Sequence, residues 1–287
     1  MYGMKFLWPF EVSLKTINGN ENYKYNFSIT SETSYLDEVS IDSIEKTVTI
    51  NSLKAKNEED YRFRILTEIN NLKLNPLKIR QQGFIERLHG LTEDIDITIT
   101  KRGVIKSINN KNEIIDKWVS LKEKLTHKFK GSKVERYLSK LEEKIHNEEE
   151  FLNDMNQNRL LGFLWNNQYS IYTKEANTIV KTKEHLQTIE YYPLYVDESL
   201  VWVGDKEASP IKIEIRGEIN ERTPISIIKK YFKRKKGLVE ADLELKEYSG
   251  YYILNKDTGW IENSNFTMSL SYGQGYTKTQ HIQLQRL

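Results

Sequence analysis

The chain has 287 residues, 38% apolar and 29% charged, with 43 Lys and Arg against 41 Asp and Glu for a net charge of +2. That balance excludes a disordered chain and any chain-wide attraction to nucleic acid or membrane, so an electrostatic partner must be met by a local patch. The absence of cysteine excludes disulfides, thiolate metal sites and a Cys nucleophile, and leaves the compartment open.

The opening stretch, "MYGMKFLWPFEV", offers only Phe6, Leu7 and Trp8 before Pro9. That run is too short for the core of an export signal, and no later stretch is apolar enough for a membrane helix. The expectation is a soluble chain, cytoplasmic by default, and periplasmic or envelope-located if an export signal has been removed.

Residues 1–111 read mainly as strands. Tyr23, Tyr25, Phe27 and Ile29 alternate with polar neighbours, as do Val48 and Ile50, with Leu53 three residues on, then Tyr61, Phe63, Ile65, Thr67 and Ile69. Ile95, Ile97 and Ile99 lead through Lys-Arg-Gly into Val104 and Ile108, with Gly103 suited to the positive φ of a hairpin turn. Asp94 and Asp96 share one face of that strand and read as solvated edge charges.

Residues 112–166 change period. Ile115, Trp118, Leu121 and Leu125, then Val134, Tyr137, Leu138, Leu141 and Ile145, follow the rhythm of amphipathic helices. Ser132 with Glu135 reads as a capping box between them. A third helix is expected from Glu148 to about Leu164, completing a helical segment packed on a sheet.

Residues 167–287 return to strands, punctuated by Gly204, Gly217, Gly250 and Gly259. The order strands, helices, strands predicts the α+β class: antiparallel, curved sheets from both flanks with the helical centre packed on them. The three segments can also form one continuous domain.

Within "ILNKDTGWIE" lies Asp-Thr-Gly, the tripeptide of aspartic proteases. That chemistry needs two facing carboxylates, and no second such tripeptide exists. Asn255 to Gly259 reads instead as a turn, with Gly259 in the left-handed position. His89, His127, His146, His185 and His281 show no metal-ligand spacing, Gly273 and Gly275 form no phosphate cradle, and no nucleophile elbow occurs. No catalytic, cofactor-binding or metal-binding residue is therefore assigned.

The sharpest electrostatic feature is "IIKKYFKRKKG", with Lys229, Lys230, Lys233, Arg234, Lys235 and Lys236 as a candidate patch for an anionic partner. Two local structures fit it. One is a helix capped at Thr223 with Pro224 in its first turn and Gly237 at its end. The other, preferred, is a strand paired with "GLVEADLEL", whose Val239, Ala241, Leu243 and Leu245 alternate.

The stretches "ITITKRGVIKSINNKNEIIDKW", "LLGFLWNN" and "GYYILNKDTGWIENSNFTMSLSY" resemble an uncharacterised family of β-rich, mostly envelope-associated bacterial proteins. The resemblance implies a β-rich fold with a helical middle. Members normally begin with an export or lipoprotein signal, which this sequence lacks, and no established activity exists to carry over.

Three function classes follow. The first is a non-enzymatic scaffold binding a protein partner, such as an assembly factor or toxin-neutralising inhibitor, because Tyr and Trp are common interface anchors. The second is a carrier of a lipid or other hydrophobic ligand between sheet and helices. The third is an enzyme whose site is assembled from distant residues. No cofactor, specific nucleic-acid binding or transmembrane segment is expected.

Overall fold

A computed structural model describes residues 10–14, 21–54, 60–165, 168–172, 177–189, 192–203 and 209–287. The Phe6–Pro9 stretch, Asn166, Asn167 and Gly204 lie outside them. The first elements are β1 (Phe10–Glu11), β2 (Asn22–Tyr35), β3 (Glu38–Leu53), β4 (Asp60–Lys73), α1 (Ile79–His89), β5 (Asp94–Thr100) and β6 (Ile105–Ile108). Four helices follow: α2 (Lys111–Lys128), α3 (Ser132–His146), α4 (Glu148–Asn156) and α5 (Arg159–Trp165). Then come β7 (Ile171–Tyr172), β8 (Thr178–Ile189), β9 (Tyr192–Val203), β10 (Ile211–Ile219), α6 (Ile225–Lys235), β11 (Leu243–Leu254), β12 (Ile261–Tyr272) and β13 (Tyr276–Arg286). The registered strand pairs are antiparallel and α2 to α5 follow one another without an intervening strand, which is the expected α+β class.

The chain divides into two compact units, one holding Ser13–Phe27 and Ile44–Tyr169, the other Ser28–Ser43 and Ser170–Gln285. Residues 28–43 of β2 and β3 belong to the second unit and the rest of those strands to the first.

In the first unit the strand order is β6-β5-β4-β3-β2. Alternation produces its core: Tyr23, Tyr25, Phe27, Val48, Ile50, Phe63, Ile65, Ile95, Ile97 and Ile99 are all buried. The helices add Ile114, Trp118, Leu125, Leu138, Ile145, Phe151 and Met155. Trp165 of α5 stacks on Phe63 with ring centroids 5.8 Å apart. Asn156 of α4 binds the edge strand, accepting from Ile105 N at 3.1 Å and donating to Ile105 O at 3.3 Å. Gly103 has φ +79°, and a Cβ there would lie 2.5 Å from Trp165 O, so both the turn and the close approach require glycine.

Four local expectations for this unit are corrected. Residues 79–89 form a helix where none was assigned; its Phe84 packs edge-on against Phe129 at 5.2 Å and Tyr137 at 5.8 Å. The Ser132–Glu135 capping box does not form, because Gly131 takes the N-cap with φ 126° and no side chain caps α3. The third helix is two: Asn158 Oδ1 accepts from Leu160 N and Leu161 N at 3.0 and 3.2 Å and starts α5 afresh. Asp94 and Asp96 are not edge charges, since β5 lies between β4 and β6. They form two-bond ion pairs with Arg64 and Arg62, with Nε–Oδ1 distances of 2.9 Å in both.

In the second unit the order is β2-β13-β12-β11-β10-β9-β8, with β1 pairing β7 separately. One face of β9 buries Leu194, Val196, Glu198, Leu200 and Trp202, and β12 contributes Ser264, Phe266, Met268 and Leu270. The basic stretch is the helix α6, not the preferred hairpin. Helical spacing puts Ile228 and Phe232 on one buried face, whereas a strand would have put Lys230 and Arg234 beside them. Phe232 stacks on Tyr272 at 4.3 Å and meets Tyr276 at 4.8 Å. Thr223 does not cap α6: its hydroxyl is bonded to Tyr195 N and O, and Pro224 is the N-cap.

Candidate functional sites

Lys46 occupies an inward position on β3, in the row that continues to Val48 and Ile50. Its Nζ lies 3.3 Å from His89 Nδ1, at the end of α1, and among the described residues no carboxylate pairs with it. An ammonium can only donate, so Nδ1 accepts and the proton sits on Nε2, 3.4 Å from Thr67 Oγ1 on β4. Burial lowers the Lys46 pKa from 10.5 to about 8. Burial, and then the charge of Lys46, lowers His89 to about 4. Ile44 and Ile69, in the same two rows, are half-buried and leave apolar surface around the ammonium. Lys46, His89 and Thr67 thus form one hydrogen-bonded row beside hydrocarbon, with the ammonium as its cation.

A second cluster lies in the other unit. Glu198, 3% exposed, accepts from Tyr248 Oη at 2.7 Å, and Lys183 Nζ is 3.6 Å from the same carboxylate oxygen. His185 Nε2 is 2.9 Å from Tyr248 Oη, and its ring stacks on Phe266. Tyr248 has given its proton to the bond with Glu198, so His185 is the donor in the second contact. Burial, followed by the charge of Glu198, holds the phenol well above its ordinary pKa. A Cβ on Gly217 would lie 2.6 Å from Tyr248 Cδ1, so the ring fills the space that glycine leaves. His185, Tyr248 and Glu198 are joined by hydrogen bonds with Lys183 as the nearby counter-charge, the behaviour of a buried polar staple.

The predicted basic patch is exposed along α6. Lys229 pairs with Asp242 at 2.6 Å and Lys233 with Glu240 at 3.2 Å, while Lys230, Arg234 and Lys235 point to solvent. Lys236 Nζ sits 5.1 Å from the centre of the Tyr35 ring, and Tyr35 Oη donates to Lys236 O.

Asp257 is an exposed turn residue. Asn255 Oδ1 accepts from Asp257 N and Thr258 N at 3.0 and 3.1 Å, Asn255 N donates to Trp260 O, and Gly259 has φ +72°. Asp257→Ala is therefore expected to change stability by less than about 0.5 kcal/mol in urea unfolding, and Asn255→Ala to cost about 1 kcal/mol. Of the other histidines, His281 Nδ1 lies 3.0 Å from Thr267 Oγ1, and His127 and His146 end α2 and α3. Among the described residues no group of three or more His, Asp or Glu is placed to hold a metal ion, and no helix is long and apolar enough to cross a membrane.

No family profile matches the chain, and no curated protein matches it. Among solved structures, a lipovitellin structure described for its lipid–protein interactions aligns with 95% of this chain at 10% identity and a TM-score of 0.47. The chain spans 25% of that protein's length. A putative outer-membrane lipoprotein-sorting domain from Vibrio parahaemolyticus aligns over 92% of this chain and 85% of its own, at 10% identity and a TM-score of 0.16. Neither likeness reaches the level at which a shared fold follows.

Proposed function

We propose that this protein is a carrier of an anionic amphiphile whose charged head is held by Lys46, with His89 and Thr67 beside it. One observation carries this reading: a half-buried ammonium on an apolar sheet face, met by a neutral imidazole and, among the described residues, by no carboxylate. A cation retained at such a cost in desolvation is accounted for when a ligand supplies the missing charge. The half-buried Ile44 and Ile69 offer surface to the ligand's hydrocarbon part.

Three measurements test it. Native mass spectrometry of freshly purified protein should show a retained acidic lipid. A long-chain fatty acid should then bind at least about tenfold more tightly than its methyl ester, the ratio expected of one charge-assisted contact. Affinity for the acid should hold below pH 8 and fall above it, as the free Lys46, with its pKa of about 8, loses its proton. Equal binding of acid and ester, or binding of neither, would remove Lys46 from the role.

A further inference from the structure

Three segments of the second unit meet beside the basic helix. The β2–β3 turn brings Leu36, the segment after α6 brings Leu238, Val239 and Ala241, and the β12–β13 turn brings Gly273 and Gly275. Together they line a shallow groove of about 530 Å³. The arrangement is braced: Leu36 N donates to Gly275 O at 2.8 Å, and Ala241 N donates to Tyr272 Oη at 3.2 Å.

What this end displays is unusual for a surface. Val239 is 87% exposed, Leu36 58% and Val39 60%. Leu36 also has φ 51°, the only non-glycine residue at positive φ among those described. Asn or Gly would take that turn position at lower cost, so local folding does not account for a leucine there. The C-terminal end of α6 adjoins these apolar tips: Lys236 Nζ lies over the Tyr35 ring, Lys233 pairs with Glu240 and Lys229 with Asp242, while Asp37 and Glu240 line the groove. Two of those acids already neutralise Lys229 and Lys233, so Lys230, Arg234 and Lys235 carry the outward charge.

From this juxtaposition we infer that the end of the second unit formed by Leu36, Val39, Val239 and α6 docks on an anionic lipid bilayer. Leu36 and Val239 enter the interface between headgroups and acyl chains, and Lys230, Arg234 and Lys235 meet lipid phosphates. Apolar tips flanked by cations match a surface that is negative above and hydrocarbon below, and each basic residue near such a surface strengthens binding about fivefold. An acidic protein would reward the cations but not the exposed Leu36 and Val239. The inference stands on a different surface from Lys46 and is independent of the ligand held there.

The full chain should sediment with mixed phosphatidylcholine–phosphatidylglycerol vesicles and not with pure phosphatidylcholine vesicles, and added salt should weaken the association. The triple change Lys230→Glu, Arg234→Glu, Lys235→Glu should reduce vesicle affinity roughly a hundredfold or more. Leu36→Asn should reduce it about tenfold while melting at or above the temperature of the unchanged protein, because asparagine accepts the positive φ. That variant separates loss of docking from loss of fold, and fatty-acid binding should be unchanged in both. Equal binding to neutral and anionic vesicles, no binding to either, or full binding by the variants would overturn the inference. So would retention on an acidic polypeptide column by a protein that ignores vesicles.

Discussion

Lys46→Met should make the protein more stable and at the same time unable to select an acid over its ester. Methionine keeps the length and apolar stem of the side chain and removes the buried charge. In the folded protein Lys46 has a pKa of about 8, against 10.5 when unfolded. Between those values the unfolded chain binds more protons, so stability rises with pH across that window, and the cost of the buried ammonium is fully present below it. That cost is on the order of 1–3 kcal/mol for a side chain of this burial, and the methionine variant should recover it at neutral pH in urea unfolding. The variant's stability should also lose the rise between pH 8 and 10.5. His89, relieved of the neighbouring charge, should titrate above its present value of about 4. A lysine kept for structure would behave in the opposite way. If Lys46→Met loses more than about 1 kcal/mol of stability, the ammonium is stabilising in place and no ligand need be invoked.

Lys46 and Glu198 show where reading the sequence succeeds and where it stops. Alternation identifies the strands because burial imposes it: Tyr23, Tyr25 and Phe27 on β2, and Ile95, Ile97 and Ile99 on β5, are all in the core. The Asn255–Gly259 turn is legible because its chemistry is local. The basic stretch misleads, because "IIKKYFKRKKG" has apolar residues at both even and odd positions, and only the aromatic bed of Tyr272 and Tyr276 selects the helical face with Ile228 and Phe232. The sites escape a search for spacings because they join strands distant in sequence. His185 and Tyr248 are 63 residues apart, and Tyr248 and Glu198 are 50. A signal was nonetheless present. Lys46 precedes Val48 and Ile50 in one row, and Glu198 interrupts Leu194, Val196, Leu200 and Trp202 in another. An ionisable side chain on the inward register of an otherwise apolar strand must find a partner, and the sequence shows where it is without showing what meets it.

Tyr248→Phe should cost about 3 kcal/mol, well beyond the worth of one ordinary hydroxyl bond. Glu198 is 3% exposed, its hydrogen bond from Tyr248 is 2.7 Å long, and the Lys183 ammonium at 3.6 Å is beyond good hydrogen-bonding distance. Removing the hydroxyl leaves a buried carboxylate with a distant cation as its remaining counterpart. Glu198→Leu should be nearly neutral, because it extends the row of Leu194, Val196 and Leu200 and leaves Tyr248 Oη its contact with His185. The double variant should match Glu198→Leu, giving a coupling of about 2–3 kcal/mol between the two sites in urea unfolding. The comparison also separates the remaining function classes. A staple sealed from solvent must show the full penalty. A loss below about 1 kcal/mol would mean that water reaches Glu198, and a hydrated carboxylate joined to a phenol and an imidazole has the components of proton-transfer chemistry.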